Sequence, residues 1–221
     1  MKAVIFDFNG TMFFDSEKHE QAWKQYGEMV LNRKISDEEF KNHVHGRNNL
    51  CILSYFKERE LSKEEVDIMG EEKEAIYRKL CLEDKDNFKL VDGLVEFLDY
   101  LKENKYLINI ATASGIINVK FFFESFGLDK WFDFEKIVYG NGLIKSKPDP
   151  EIFLKAAQNL DINPQDCIVF EDSHSGLGSA KNANIARIIG VNNTEDENYF
   201  DNINYLFDVI KNFKDFKHLI S

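Results

Sequence analysis

The first eleven residues already restrict the fold, because a short apolar run ends there on a carboxylate and a turn. Residues Ala3–Phe6 are apolar, Asp7 follows them directly, and Gly10 marks the turn. A short apolar run bounded by a glycine turn is typical of a buried strand in a parallel sheet. Ligands of such sheets bind at the carboxyl ends of the strands. The sequence therefore predicts that Asp7 lies where a ligand would bind.

Strand-like and helix-like segments alternate in the second half of the chain. A helix beginning near Gly93 carries its apolar residues on one face, and two Asp-Pro or Asn-Pro pairs, at 149–150 and 163–164, place an N-cap residue before a proline at the first helical position. The predicted strands are Leu107–Thr112, Lys136–Tyr139, Cys167–Phe170 and Ala186–Val191, with a closing strand and helix after about residue 199. This alternation predicts an α/β fold with a parallel sheet and right-handed crossovers.

A helical segment interrupts this pattern directly after the first strand. Residues 15–82 contain no proline and mix Glu and Lys with spaced apolar residues. Two Ser-x-x-Glu capping boxes, at Ser36 and Ser62, indicate helix starts within a bundle of about four helices. We therefore expect a Rossmann-like parallel sheet core formed by residues 1–14 and 83–221. An inserted α-helical cap domain, residues 15–82, is expected above the carboxyl end of the first strand.

Composition excludes some classes of partner. The 221 residues carry a net charge of −11, which disfavours nucleic acid and anionic membranes as partners because both require a basic face. A phosphorylated metabolite stays compatible, since helix N-termini, a metal ion and a few cations bind phosphate locally. No secretory leader is recognised before Lys2, and no apolar run approaches membrane-spanning length.

The cysteines favour a reducing compartment. Cys51, Cys81 and Cys167 are odd in number, far apart and form no Cys-x-x-Cys pair. This spacing argues against a disulfide framework or a zinc knuckle. We expect a cytoplasmic protein, monomeric with an oligomer left open.

Four segments of the predicted core carry polar residues suited to one phosphate site. The second of them places hydroxyls and a glycine at a helix N-terminus, where backbone N–H groups favour an anion. The four segments are Asp7–Thr11, Ala111–Gly115, Lys145–Pro150 and Phe170–Gly176.

In this order, these segments resemble the four motifs of the haloacid dehalogenase-like superfamily over essentially the whole chain. Its phosphate-handling members read nucleophilic Asp, then Thr or Ser, then Lys before Pro, then an acidic pair followed by Ser and Gly. The resemblance implies a phosphatase-like hydrolase acting on a small phosphorylated metabolite. It implies three catalytic roles. Asp7 would be the nucleophile that becomes an aspartyl phosphate, Thr112 would donate a hydrogen bond to a phosphoryl oxygen, and Lys147 would neutralise the attacking carboxylate and the phosphate. It further implies that Gly10, Thr11, Ser114 and Gly115 bind the substrate.

The resemblance also implies a Mg²⁺ cofactor. Its ligands would be Asp7, Glu171, Asp172 and the backbone carbonyl of Asn9. Hard oxygen ligands suit Mg²⁺, and a divalent cation with a lysine offsets the repulsion between a carboxylate and a phosphate dianion. The acidic pair at 171–172 argues against a metal-free dehalogenase.

Asn9 departs from the family pattern. Most phosphatases of the family carry a second Asp at this catalytic position, where its carboxyl protonates the leaving oxygen and then activates water. An amide does neither, and general acid–base catalysis is typically worth about 10²–10⁴-fold. We predict intact Mg²⁺ and phosphate binding with turnover lowered accordingly.

The start of the predicted cap resembles the β-phosphoglucomutase and sugar-phosphatase branch of the family. An acidic residue, His19 and an Ala-Trp pair recur at the spacing of that branch, and Lys73 stands four residues before a tyrosine. Gly46 and Arg47 match the loop by which the cap reaches the site. The resemblance implies that His19, Gly46, Arg47 and Lys73 bind substrate.

Several functions stay open on the sequence. A phosphatase is favoured over a β-phosphoglucomutase-like mutase, because a mutase depends on the general acid that Asn9 lacks. A catalytically impaired phosphate-binding or regulatory protein is a further alternative, as is an active enzyme engineered at Asn9 to trap substrate. A phosphonate hydrolase would use a cap lysine, and nothing singles out Lys41 for that role.

Overall fold

The computed structural model of the chain describes residues 2–44 and 48–220, which form two compact units. The α/β unit comprises Met1–Phe14 and Lys89–Ser221, and the helical unit comprises Asp15–Phe88. The second boundary lies six residues after the position 82/83 expected from the sequence. The last helix of the helical unit continues to Glu83, and Asp84 then forms an ion pair with Lys18 of the same unit.

The strands of the α/β unit form one parallel six-stranded sheet, which confirms the predicted α/β, Rossmann-like class. The strand order is β3-β2-β1-β4-β5-β6. The strands are β1 (Ala3–Phe6), β2 (Leu107–Gly115), β3 (Val138–Gly140), β4 (Cys167–Glu171), β5 (Arg187–Val191) and β6 (Asp208–Ile210). The helices are α1 (Ser16–Met29), α2 (Asp37–Glu39), α3 (Asn49–Lys57), α4 (Lys63–Glu83), α5 (Leu94–Glu103), α6 (Ile116–Phe126), α7 (Glu151–Asn159), α8 (His174–Asn182) and α9 (Lys217–Ile220).

Strand β1 lies at the centre of the sheet, between β2 and β4. Ile5 is in register with Asn109 of β2 on one side and with Val169 of β4 on the other. All four residues of β1 are fully buried. A strand covered on both faces needs a continuous apolar run, which explains the sequence pattern at the start of the chain.

Local sequence signals predicted most of these elements, but the start of β3 and the helix expected at Pro164 need correction. Helix α5 buries its predicted apolar face, and β6 and α9 close the chain as expected. The strand expected from Lys136 begins at Val138, because residues 134–136 form a 3₁₀ turn capped by Asp133. The proline at position 164 starts only a single 3₁₀ turn, since β4 begins at Cys167.

The start of α7 also differs from the expected N-cap. Pro150 precedes the first helical residue, Glu151, instead of being it. The Asp149 side chain nevertheless accepts a hydrogen bond from the Glu151 backbone N–H at 3.0 Å. Asp149 therefore stabilises the start of α7 as its sequence position predicts, although the helix begins one residue later than expected.

The helical unit contains α1 to α4 and a π-helix, Phe40–Val44, that continues α2. Its core is an apolar cluster around Trp23, Tyr26 and Leu53. At Ser62 both hydrogen bonds of the predicted capping box are present, whereas at Ser36 the serine side chain accepts from the Glu39 N–H. Within the described part of the chain, no helix is both long enough and apolar enough to cross a bilayer.

A backbone hydrogen bond joins the two places where the chain leaves the α/β unit and returns to it. The Val91 N–H donates to the Met12 carbonyl at 3.0 Å, and both residues belong to this unit. The segment between these residues includes the whole helical unit. The helical unit is therefore an insertion between two hydrogen-bonded positions of the α/β unit.

Candidate active site

Two aromatic residues, each directly before one of the predicted acids, stack on each other at the carboxyl ends of β1 and β4. Phe6 and Phe170 are stacked with their ring centroids 5.2 Å apart, and each directly precedes an acid, Asp7 or Glu171. The Asp7 N–H continues the ladder by donating to the Phe170 carbonyl at 3.0 Å. The carboxyl ends of the two central strands are thereby held together.

Asp7, Lys147 and Glu171 form a buried ion-pair cluster at this end of the sheet. The Lys147 Nζ lies 2.6 Å from Asp7 Oδ1 and 2.5 Å from Glu171 Oε2. All three side chains are at least nine-tenths buried. The lysine lies 140 residues beyond Asp7 in the chain, so the fold alone brings the two together.

This cluster controls the protonation of Lys147. Burial by itself lowers the pKa of an ammonium group, but the negative charges of Asp7 and Glu171 outweigh it and raise the pKa of Lys147 above its ordinary value of 10.5. Lys147 is therefore a permanent cation at neutral pH and a poor proton donor. In this position its ammonium balances the negative charge of Asp7 and Glu171.

Asp172 is held by a different set of contacts. Its Oδ1 accepts a hydrogen bond from the Thr11 hydroxyl at 3.3 Å, and its Oδ2 accepts one from Asn193 Nδ2 at 3.1 Å. The same Asn193 amide donates to the Gly10 carbonyl at 2.9 Å. Gly10 has a φ of +76°, and a Cβ there would overlap the Asp172 carboxylate. Glycine is thus required both by the backbone and by the acid beside it.

Asn193 is a site residue that the sequence analysis missed. It follows β5, which ends at Val191. The rule that identified Asp7, applied to the polar residues after this strand, would have found it, because the carboxyl ends of parallel strands meet at one edge.

Glu171 is fixed by the start of α8. Its Oε1 accepts hydrogen bonds from the Ser173 N–H at 3.0 Å and from the Ser173 hydroxyl at 2.8 Å. Ser173 Oγ also caps the helix by accepting from the Gly176 N–H at 3.0 Å. Ser173 therefore links the helix cap to the acid.

We expect Gly176→Ala to displace Glu171 and to lower activity, because a Cβ at this position would overlap the Glu171 carboxylate. Gly178→Ala is the matched control on the same helix: a Cβ there meets only Pro148 Cβ, at an ordinary 3.4 Å. In the control, the change should leave activity intact and raise the free energy of unfolding by about 0.4–1 kcal/mol. Kinetics of the phosphate release expected from the sequence motifs measure the effect on activity, and denaturant unfolding measures the effect on stability. Equal activity of the two variants would contradict this packing argument.

The three acids have a donor set that fits a hard divalent cation. One carboxylate oxygen from each of Asp7, Glu171 and Asp172 lies within 4.8 Å of the other two. Carboxylate oxygens gathered in this way match the preference of Mg²⁺ for hard oxygen ligands. The donor set therefore fits the cofactor that the sequence motifs imply.

The side chain of Asn9 is hydrogen-bonded to a residue near the carboxyl end of β2. Its Oδ1 accepts a hydrogen bond from the Ser114 hydroxyl at 2.6 Å, across 105 residues of sequence. The Ser114 N–H in turn donates to the Thr112 hydroxyl at 3.1 Å. Gly115 ends β2 directly before α6. The fold thus brings Asn9, Thr112 and Ser114 into one network beside Asp7.

Two of the residues predicted to bind substrate lie together in the helical unit. Lys73 is 2% exposed, and its Nζ lies 2.8 Å from both His19 Nδ1 and Glu74 Oε1. The His19 ring stacks on Tyr77 at 4.1 Å, and the Tyr77 hydroxyl donates to buried Asp15. Lys73 is therefore a buried, paired lysine of the helical unit. Gly46 and Arg47, the other two substrate-binding residues predicted in the cap, lie outside the described residues.

Comparison with known proteins places this geometry in a family. The model of the haloacid dehalogenase-like hydrolase family matches residues 1–184. A phosphorylated carbohydrates phosphatase of Thermotoga maritima is 31% identical over 195 residues, covering 86% of this chain and 85% of the relative. A β-phosphoglucomutase of Bacillus subtilis is 30% identical over 193 residues, covering 83% and 80%.

A solved structure extends the similarity to the whole chain. The crystal structure of a haloacid dehalogenase family IA, variant 3 hydrolase from Entamoeba histolytica superposes with a TM-score of 0.89 at 36% identity. The match covers 96% of this chain and 94% of that one. Together with the match of the family model, this establishes that the chain belongs to the haloacid dehalogenase-like hydrolase family.

Proposed function

We propose that this protein is a Mg²⁺-dependent phosphatase of small phosphorylated carbohydrates, working through an aspartyl phosphate on Asp7 with turnover limited by Asn9. The observation that carries the proposal is the buried cluster in which Lys147 lies 2.6 Å from Asp7 and 2.5 Å from Glu171. The two relatives that share about 30% identity are named for phosphorylated carbohydrates and for phosphoglucomutase activity, which supports this substrate class.

In the proposed reaction an Asp7 carboxylate oxygen forms a bond to phosphorus while the bond from phosphorus to the substrate oxygen breaks. Lys147 neutralises the negative charge that this attack brings together. Water then displaces the phosphoryl group from Asp7, which releases phosphate. Asp7, Glu171, Asp172 and the Asn9 carbonyl would hold the metal, which supplies positive charge to the phosphoryl oxygens when bound.

The roles of the remaining residues follow from their positions. The Thr112 hydroxyl, oriented by the Ser114 N–H, and the backbone N–H groups at the start of α6 provide donors for phosphoryl oxygens. Thr11 and Gly10 line the turn after Asp7. We assign recognition of the sugar to the helical unit, through His19 and Lys73.

The direct test is phosphate release from a panel of sugar phosphates, with Mg²⁺ and with a chelator. We expect release that needs Mg²⁺ and stops with the chelator. Trapping of beryllium fluoride by the Mg²⁺-loaded protein, with no turnover on any substrate, would contradict the phosphatase assignment and support a binding protein.

A mutase is the second candidate, favoured by the 30% identity to β-phosphoglucomutase. Incubation with β-glucose 1-phosphate and a glucose bisphosphate primer separates the two. Free phosphate should appear faster than glucose 6-phosphate if the protein is a phosphatase. The reverse order would make the protein a mutase.

We expect Asn193→Ala to weaken Mg²⁺ binding by about 10–100-fold, the usual cost of losing a residue that orients a metal ligand. The variant removes the donor to Asp172 and to the Gly10 carbonyl. Calorimetric titration with Mg²⁺ measures the effect without relying on activity, and excess Mg²⁺ should restore the activity. Asn202→Ala is the matched control, an exposed asparagine of the same unit. An unchanged Mg²⁺ affinity in Asn193→Ala would refute this role.

A further inference from the structure

We propose that the substrates of this chain are phosphate compounds whose leaving oxygen departs as an anion without being protonated. The classes that meet this condition are acyl, enol and aryl phosphates and, among sugar phosphates, anomeric 1-phosphates in preference to phosphates of primary alcohols. The inference rests on the proposed phosphatase function and narrows its substrate class.

The first observation is the chemical state of Asn9. A carboxamide does not titrate near neutral pH, so it has no proton to give to a leaving oxygen. Its Oδ1 is also occupied, because the Ser114 hydroxyl donates to it at 2.6 Å. The Ser114 proton is thereby directed at Asn9, and the side chain of Asn9 is fixed in orientation.

The second observation is that the donor groups around Asp7 are already engaged. The Lys147 ammonium is held between two carboxylates, donating to Asp7 Oδ1 at 2.6 Å and to Glu171 Oε2 at 2.5 Å. Glu171 accepts hydrogen bonds from Lys147 and Ser173. The Thr11 hydroxyl donates to Asp172, and hydroxyl groups of this kind do not titrate near neutral pH.

The one histidine in the sequence segment around the acidic pair offers no substitute. His174 is the first residue of α8, is exposed, and lies against Tyr199 with its ring centroid 4.8 Å away. Within the described part of the α/β unit, the hydroxyl and ammonium groups in contact with the acids therefore already donate to neighbouring acceptors. His19 of the helical unit is engaged at both ring nitrogens, by Lys73 Nζ at 2.8 Å and by Asp15 Oδ2 at 3.3 Å.

The lack of a proton donor decides which leaving groups can depart. When the Asp7 oxygen bonds to phosphorus, the electron pair of the broken phosphorus–oxygen bond stays on the leaving oxygen. Without a proton donor, the ease of that step depends on how well the leaving oxygen carries a negative charge. The second step differs, because its leaving group is the carboxylate of Asp7, which needs no proton. That step lacks the base that would activate water, so the phosphorylated Asp7 should accumulate when the first step is fast.

The experiment compares substrates that differ mainly in the acidity of the leaving group. We would measure kcat/KM, which reports the first step, for 4-nitrophenyl phosphate, phenyl phosphate and an alkyl phosphate. The three proteins are the unchanged chain, Asn9→Asp and Asn9→Ala. In the unchanged chain and in Asn9→Ala, kcat/KM should fall steeply as the leaving group becomes less acidic. In Asn9→Asp it should change little, with a gain of less than about tenfold on the nitrophenyl ester and about 10²–10⁴-fold on the alkyl ester.

A rapid-mixing measurement provides a second readout. The unchanged chain should release one nitrophenolate per active chain in a burst, followed by slow turnover, and Asn9→Asp should show a smaller burst or none. Equal dependence of kcat/KM on the leaving group in the unchanged chain and Asn9→Asp would overturn the inference while leaving the phosphatase function intact. Failure of both proteins to hydrolyse any of the three esters would instead count against the proposed function.

Discussion

Asn9→Asp is expected to raise the rate of phosphate release from a hexose 6-phosphate by about 10²–10⁴-fold, the typical worth of a general acid–base group. The substitution changes one amide to a carboxyl of the same shape. The Ser114 hydroxyl, which donates to Asn9 Oδ1 at 2.6 Å, donates equally well to a carboxylate oxygen. The new side chain should therefore keep the position that the amide has and add a proton that it can give and recover.

Steady-state phosphate release under saturating Mg²⁺ measures this gain, with Asn9→Ala as the control. The alanine variant removes the amide without adding an acid, so its rate should stay at or below that of the unchanged chain. Unfolding midpoints of the three proteins establish that the comparison is between folded proteins. Hydrolysis at the same rate by the aspartate variant and the unchanged chain would show that proton transfer does not limit turnover.

The second large effect is expected from Lys147→Met, which keeps the apolar stem and removes the charge. Loss of this cation leaves Asp7 and Glu171 buried without their partner, and removing one member of a buried ion pair typically costs about 3–5 kcal/mol of unfolding free energy. Turnover should fall by about 10²–10³-fold, as it does when one charge-stabilising donor is removed from an active site.

Denaturant unfolding in the presence of a chelator measures the stability change, so that no metal replaces the lost charge. Lys145→Met is the matched control two residues away: Lys145 is exposed and pairs with Asp149 at 3.5 Å, so its loss should cost less than about 1 kcal/mol. Equal destabilisation by the two variants would contradict the assignment of Lys147 to a buried ion pair.

The pKa of Lys147 also determines how the difference in unfolding free energy between Lys147→Met and Lys145→Met depends on pH. Because its pKa is raised in the folded protein, its contribution to stability is fully present below its ordinary pKa of 10.5 and is lost only as the pH rises through the folded value. The lysine's own titration should therefore leave the stability gap between the two variants unchanged from pH 7 to pH 9.

The strand-end residues were predictable because a parallel sheet gathers its carboxyl ends at one edge. Asp7, Glu171 and Asp172 follow apolar runs, and the run predicts the strand that positions each acid. The contact of Lys147 with Asp7 was not predictable from spacing, because 140 residues separate them and the loop between β3 and α7 has no periodicity. The family motif supplied that pairing.

Residues whose environment depends on tertiary packing were harder to judge. Lys73 stands on a charged helix, and its position in the sequence does not decide between a solvated side chain and a substrate contact. The structure buries it between His19 and Glu74, with its ammonium 5.3 Å from the ring of Trp23. Helical periodicity does not reveal such a site, because two of the groups around the ammonium, His19 and Trp23, belong to a different helix, α1.

The bond between Met12 and Val91 has a consequence for how such a protein can diversify. Since the chain leaves and rejoins the sheet-bearing unit close to two positions joined by one backbone hydrogen bond, we expect that the inserted segment Asp15–Phe88 can be exchanged as one block while β1 and α5 keep their neighbours. Recombination at this junction would attach a different insert to an unchanged sheet-bearing unit, and a short loop joining Phe14 to Lys89 would give a sheet domain whose stability could be measured alone.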